Sequence, residues 1–218
     1  MPSELSQELY ALYKKYEADL YEFGEKSNEI VHGPFLISPN DKFSTSKVRV
    51  VFIGQETNGW SCKKDISNQM ETYSKFNLGE KYVSSPFWNV IRKFEKSIIG
   101  ETHSSSWLNI NRYDENSKKP SNENRELLSG LDTLLLSELK ILKPDITIFL
   151  TGHSYDSRII PLLSAQKTSI GEFDQKQVCE IITNSIGGRV FRTYHPNYLR
   201  RSGLESRVVS EICSQVNV

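Results

Sequence analysis

Lys47-Val48-Arg49-Val50-Val51-Phe52-Ile53-Gly54 runs directly into Gln55-Glu56-Thr57-Asn58-Gly59-Trp60. The first eight residues are β-branched or aromatic with few interruptions, the pattern of a strand buried on both faces, as in the middle of a parallel sheet. The glycine that ends the run hands the chain to a polar loop. In open α/β sheets ligands bind where loops leave the carboxyl ends of the strands, so this junction is the first place to look for chemistry.

Working outward, residues 3 to 23 carry Leu5, Leu9, Leu12, Tyr16, Leu20 and Phe23 at steps of three and four, which predicts an amphipathic helix. Residues 60 to 84 are polar and aperiodic and read as a long functional loop. Ser85-Pro86 then opens a helix through Phe87-Trp88-Asn89-Val90-Ile91, with proline suited to the first turn. Ser105 to Asn111 alternates in the manner of a strand, with Trp107, Asn109 and Asn111 sharing one face. Leucines from 127 to 142 predict a helix over 124–142, broken by Lys143-Pro144 before the strand Ile146-Thr147-Ile148-Phe149-Leu150. Gly188 to Thr193 gives a fourth strand, preceded by a hairpin-like or loop segment from Thr168 to Ile186. Residues 204 to 216 close the chain as a helix. Strands alternating with helices predict a single α/β domain over 1–218, a three-layer α/β/α sandwich around a four-stranded, mainly parallel sheet, with its core in 47–205.

The chain has 218 residues, 37% hydrophobic and 25% charged, with 12 Gly and 8 Pro, which excludes collagen-like and wholly disordered classes. The apolar runs are too short to span a membrane, and the start lacks a signal-peptide pattern, so a cytoplasmic protein without a membrane partner is expected. Three cysteines, Cys62, Cys179 and Cys213, without Cys-x-x-Cys, build neither a disulfide framework nor a thiolate metal site. No metal or other cofactor is expected. Lys+Arg and Asp+Glu both total 27, so a polyanion would have to meet a local basic surface. Arg189, Arg192, Arg200, Arg201 and Arg207 against Glu205 supply such an asymmetry. Gly54-x-x-x-x-Gly59 has the glycine spacing of a phosphate-binding loop, but Trp60-Ser61 stands where Lys-Ser/Thr is needed. Gly-x-Ser-x-Gly and Gly-x-Gly-x-x-Gly are both absent, so serine hydrolase and dinucleotide readings lack their carriers.

Three strand ends carry unusual polar sequences: Gly54-Gln55-Glu56-Thr57-Asn58-Gly59, Asn109-Ile110-Asn111-Arg112 and His195-Pro196-Asn197-Tyr198-Leu199-Arg200-Arg201. Together they resemble the uracil-DNA glycosylase superfamily, in a divergent branch. The first is similar to its Gly-Gln-Asp-Pro-Tyr-His or Gly-x-Asn-Pro-Gly motif, the last to His-Pro-Ser-Pro-Leu-Ser. Phe87-Trp88-Asn89-Val90-Ile91 looks like the helix start of the mismatch-specific branch, and Trp107-Leu108-Asn109 like the strand that ends in a base-reading Asn. The resemblance covers roughly residues 47 to 205. It implies a uracil-DNA glycosylase-like fold and a cofactor-free, monomeric enzyme acting on single- or double-stranded DNA. The reaction would hydrolyse the N-glycosidic bond of a flipped-out uracil or 5-modified pyrimidine and leave an abasic site, in repair or anti-phage defence.

On this resemblance Glu56 and His195 are the catalytic pair. Glu56 would orient water and stabilise the cationic sugar, and His195 would donate to the departing base. Gln55, Asn58 and Asn109 would contact the base, with Asn111 the alternative to Asn109. Asn197, Tyr198, Leu199, Arg200 and Arg201 would meet DNA, Leu199 at the family's wedge position and the arginines on phosphates. Glu56 replaces the usual Asp or Asn and is one methylene longer than Asp. Asn58 stands where the uracil-specific branch places a Tyr that excludes a 5-methyl group, and Asn197 replaces the usual Ser.

Plainer readings of the same residues stand beside these. Glu56 could cap the element after the strand, and His195 could be a turn residue bonded to backbone. Leu199 could be core at a helix start, and Arg200-Arg201 a solvated face. Trp60, Phe76, Tyr82 and Phe87 are all candidates to stack on a flipped base. The rival function is a catalytically inactive glycosylase-fold protein that binds nucleic acid or a nucleotide.

Overall fold

The computed structural model describes residues 3–62, 65–82 and 85–216. In chain order the elements are α1 (Glu4–Lys15), α2 (Glu17–Lys26), β1 (Val31–His32), α3 (Asp41–Thr45), β2 (Val50–Gly54), α4 (Ile66–Phe76), α5 (Pro86–Ile98), β3 (Ser106–Asn109), β4 (Asp114–Glu115), α6 (Asn122–Ser129), α7 (Asp132–Leu142), β5 (Ile146–Phe149), α8 (Asp156–Leu162), β6 (Gln166–Ser169), β7 (Val178–Ile182), β8 (Arg189–Thr193), α9 (Pro196–Arg201) and α10 (Glu205–Val216). Among the described residues no helix is long and apolar enough to cross a membrane.

The central sheet has the order β3-β2-β5-β8-β7-β6. Its first four strands are parallel, in register as Gly54↔Asn109, Ile53↔Phe149 and Phe149↔Arg192. These are the four strands expected from the sequence. The count of four needs correction, because β6 and β7 add an antiparallel hairpin to the edge formed by β8. β6 is Gln-Lys-Thr-Ser with every side chain exposed, the composition of an edge strand that needs no apolar face. It therefore gave no periodic signal.

β2 is buried at all five positions. The chain moves from β2 to β3 on one side and then back past β2 to β5 on the other. Right-handed crossovers in opposite directions put their helices on opposite faces. Accordingly α5, in the first crossover, packs with α9 and α10, and α7, in the second, packs with α1 and α8; α4, though in the same connection as α5, contacts α1. The strand order reverses at the carboxyl ends of β2 and β5, the place where open α/β sheets bind their ligands.

Three helical expectations are refined. The first helix is two, broken at Tyr16, which has φ −100° and ψ 7°. The 124–142 helix is also two, separated by Gly130 and Leu131. The stretch 60–84 is not all loop: α4 lies within it, started by Asp65, whose carboxylate accepts from the backbone N–H groups of Ser67 and Asn68. α4 buries Ile66, Gln69, Met70 and Tyr73, spaced for one helical face, but its other residues are polar enough to mask that pattern. Residues 63, 64, 83 and 84 of that stretch lie outside the described residues.

The buried Arg112–Glu138 pair ties the fold together beneath the sheet edge. Both side chains are essentially inaccessible, and the Tyr13 hydroxyl donates to Glu138 Oε1 at 2.6 Å. Burial pushes the Glu138 carboxyl up, and the guanidinium and phenol hold it back.

Candidate functional site

The carboxyl ends of the strands are stitched together by short polar contacts. Gln55 at the end of β2 donates from Nε2 to the Thr151 carbonyl beyond β5 at 2.6 Å, and Gly152 N–H donates to the Thr193 carbonyl on β8 at 2.9 Å. Beyond β3, the N–H groups of Ile110 and Asn111 donate to Gly54 and Gln55 carbonyls at 3.1 and 2.8 Å. Asn111 therefore lies just past the assigned strand yet keeps the ladder direction. These bonds bring the three polar segments read from the sequence to one edge of the sheet.

Glu56 is partly buried and held from one side. Its Oε2 accepts from Asn111 Nδ2 at 3.1 Å and from the Tyr155 hydroxyl at 3.2 Å. Asn111 is fully engaged: it also donates to the Tyr155 oxygen at 3.2 Å and accepts from Arg158 Nη1 at 2.7 Å. Arg158 in turn grips Asp132 through Nε at 2.9 Å and Nη2 at 2.5 Å. Burial raises the Glu56 pKa, the donors Asn111 and Tyr155 oppose it, and the Lys119 ammonium opposes it further. Lys119 Nζ lies 5.0 Å over the Tyr155 ring.

The loop beyond Glu56 is organised by Asp114, a fully buried carboxylate. It accepts from Thr57 Oγ1 at 2.9 Å, Gly59 N–H at 2.8 Å, Trp60 N–H at 3.4 Å and Ser117 N–H at 2.9 Å. His32 Nδ1 is 2.7 Å from its other side. Gly59 sits at φ +76°, which suits glycine. Thr57 is buried, while Asn58 is exposed.

Asn109 occupies a different environment from Asn111. It is 0% exposed, its Oδ1 accepts from Trp107 Nε1 at 3.0 Å, and its Nδ2 has no partner. A buried amide donor left unpaired costs about 1–3 kcal/mol, so its survival asks for a reason. Gly54 is needed for this arrangement: a Cβ there would stand 2.4 Å from Asn109 Oδ1 and 3.3 Å from Phe87 Cζ.

Phe87 links this corner to the third segment, because its ring stacks on His195 with centroids 5.6 Å apart and planes at 25°. His195 is the N-cap of α9, its Nδ1 accepting from Asn197 N–H at 3.3 Å. Burial pushes its pKa down to about 4, so the ring is neutral near pH 7. With Nδ1 used as an acceptor, the neutral ring carries its proton on Nε2. The other aromatic candidates lie elsewhere: Trp60 meets Trp107 and Phe76 edge-on, Phe76 packs tilted against Trp107 and Trp88, and Tyr82 lies outside on Phe76.

Along α9, Leu199 is 0% exposed and belongs to the core, so it does not protrude as a wedge. The large side chain that projects there is Tyr198, 52% exposed. Asn197, Arg200 and Arg201 are exposed. Arg200 lines an open cleft of about 400 Å³ between α5 and α9, shared with Arg92, Lys93, Lys96 and Glu205 and bounded by Pro86 next to Phe87. Lys93 is paired with Glu205 there.

Sequence reasoning missed Tyr155, Arg158, Asp114 and Lys119. Each comes from a different element or loop, and nothing in its own neighbourhood marks it. No group of three His, Cys, Asp or Glu among the described residues is placed to hold a metal ion.

The fold is that of an α/β protein with a carboxylate, a neutral imidazole and a buried, unpaired amide donor at one edge of a mostly parallel sheet. Compared with protein-family models and with curated proteins, the chain matches none.

Proposed function

We propose that this protein is a glycosylase of the uracil-DNA glycosylase type, which hydrolyses the N-glycosidic bond of a pyrimidine flipped out of DNA. The observation that carries the reading is Asn109, whose buried Nδ2 has no partner and whose Oδ1 lies against Gly54 next to Phe87, the ring that stacks on His195. An amide donor next to an aromatic face that stacks on a second N–H donor is the equipment needed to hold a planar base by its polar edge, once the corner that buries Asn109 opens to admit the base. Asn109 is the base reader, and Asn111 is assigned to positioning Glu56.

In the reaction the C1′–N bond breaks and its electron pair leaves with the base, whose carbonyl oxygen gains negative charge. His195 donates to that oxygen from Nε2, and as a neutral donor it stabilises the anion without having to be protonated first. Glu56 faces the cationic sugar and aligns a water on Oε1, the oxygen that neither Asn111 nor Tyr155 uses. Its raised pKa makes it a stronger base for the proton that the water loses as oxygen bonds to C1′. The products are the free base, finally protonated, and a hydroxyl-bearing abasic sugar. Arg200 with Lys96 in the neighbouring cleft suits the flanking phosphates. Exposed Asn58 builds no wall against a 5-substituent, which favours a 5-modified pyrimidine over plain uracil.

The test is incubation with oligonucleotides bearing uracil, mismatched thymine, hydroxymethylcytosine or its glucosylated form, followed by alkaline cleavage at abasic sites. Cleavage of one substrate that disappears in Glu56→Gln supports the reading. DNA binding with no abasic site on any substrate replaces it with that of a non-cleaving binding protein.

A further inference from the structure

Tyr194 and Tyr198 form an aromatic pair just beyond the carboxyl end of β8, with ring centroids 4.4 Å apart. His153, exposed beyond β5, meets the Tyr194 ring edge-on at 5.8 Å. Tyr194 immediately precedes His195, and its Cδ1 lies 3.6 Å from the position a Cβ on Gly152 would take, so the pair is continuous with the stitched strand ends. On the same short helix the side chain that would have filled a duplex gap, Leu199, is committed to the core. Arg200 and Arg201 follow on the exposed surface.

A duplex offers its edge to a protein as paired, mutually stacked bases, with little free π-face. Entering it requires a slim apolar wedge that replaces a flipped base. An open tyrosine pair suits a different partner. Unpaired bases present their faces, and aromatic rings bordered by arginines bind them in a sequence-tolerant way.

We propose that the Tyr194–Tyr198 pair is a stacking platform for the unpaired base next to the reacting nucleotide, which makes single-stranded DNA the preferred partner of this chain. This rests on the glycosylase reading for the placement of the reacting nucleotide, but its test needs no cleavage. The platform gives a use to the half-exposed Tyr198, whose neighbour Leu199 is wholly buried. A protein partner covering the same rings is the competing occupant.

The experiment measures affinity by fluorescence anisotropy, at one fixed salt concentration, for single-stranded and duplex forms of one target-free oligonucleotide. The wild-type chain binds the single strand more tightly. Tyr198→Ala weakens single-strand binding by about 5- to 150-fold and duplex binding by less than about twofold, whereas Tyr198→Phe keeps the preference. Tyr198→Trp, read by indole fluorescence, is quenched when the single strand binds. Equal weakening on both DNA forms, unchanged affinity in Tyr198→Ala, or unquenched fluorescence at saturation overturns the proposal. Wild-type protein that binds neither form overturns it as well. An intact single-strand preference with no abasic sites on any substrate leaves the platform standing and removes only the glycosylase reading.

Discussion

Replacing Glu56 by Gln is expected to abolish activity and at the same time stabilise the folded protein at neutral pH. Glutamine keeps a carbonyl oxygen for the Asn111 and Tyr155 donors, so the bonds at 3.1 and 3.2 Å survive in weaker, neutral form. Charge-assisted bonds of about 1.5–3 kcal/mol become neutral ones of about 0.5–1.5 kcal/mol, a loss that by itself predicts destabilisation. The raised pKa of Glu56 says that the penalty for burying the charge exceeds the help from Asn111, Tyr155 and Lys119 together. The neutral side chain is therefore the better fit. An acid whose folded pKa lies above its unfolded value near 4.5 loses stability as pH rises from the unfolded to the folded pKa, because the folded state binds the extra proton in that window. Above the window the wild-type chain carries the whole penalty and Glu56→Gln none. The expected gain is about 1 kcal/mol, or about 2–4 °C in Tm for a chain of this size. Urea unfolding of both proteins across the acid range checks it. The difference should be full at neutral pH and vanish well below pH 4.5, where both side chains are neutral. A variant less stable than wild type at neutral pH, or a gain that persists undiminished in acid, refutes the reasoning.

Three other outcomes follow from the site and its support. His195, pushed down to about 4, should add no titration to kcat between about pH 6 and 8, and stability should fall as pH drops from about 6.5 through 4, a slope that Gln in its place removes; pH–rate and pH–unfolding curves show both. Gly54→Ala drives a Cβ against Asn109 Oδ1 at 2.4 Å, which should cost about 1–3 kcal/mol of stability and at least about 100-fold in activity by displacing Asn109 and Phe87, measured by thermal unfolding and single-turnover kinetics. Leu199→Ala should destabilise by about 2–5 kcal/mol, whereas Tyr198→Ala should change stability by less than about 0.5 kcal/mol, a contrast that denaturant titration resolves.

Much of the frame was legible in the chain. β2 and β5 are buried on both faces, so nearly every residue must be apolar and the runs stand out. α5 announces itself by Pro86 in its first turn and by Trp88, Ile91 and Phe94 on one side. The β6–β7 hairpin showed only as a hairpin-like or loop segment over 168–186, because the exposed edge strand β6 has no apolar periodicity to show. The helix inside 60–84 had its cap at Asp65 and its buried face in place, but polar residues filled the remaining positions.

The site divides in the same way. Residue types and their order at the strand ends, Gly54 to Glu56, Asn109 to Asn111 and His195 onward, were readable because each group sits within one short segment. Which of two asparagines has a free donor, which of four aromatics faces His195, and whether Tyr198 or Leu199 projects were not, since they depend on contacts between segments far apart in the chain. Asn111 meets Tyr155 across 44 positions and Arg158 across 47, and Thr57 meets Asp114 across 57. Local sequence determines which strand end carries a carboxylate, an amide or an imidazole. Only packing decides which of these groups are already satisfied and which are left with a hydrogen bond to offer, because satisfaction is a property of the neighbour and not of the residue.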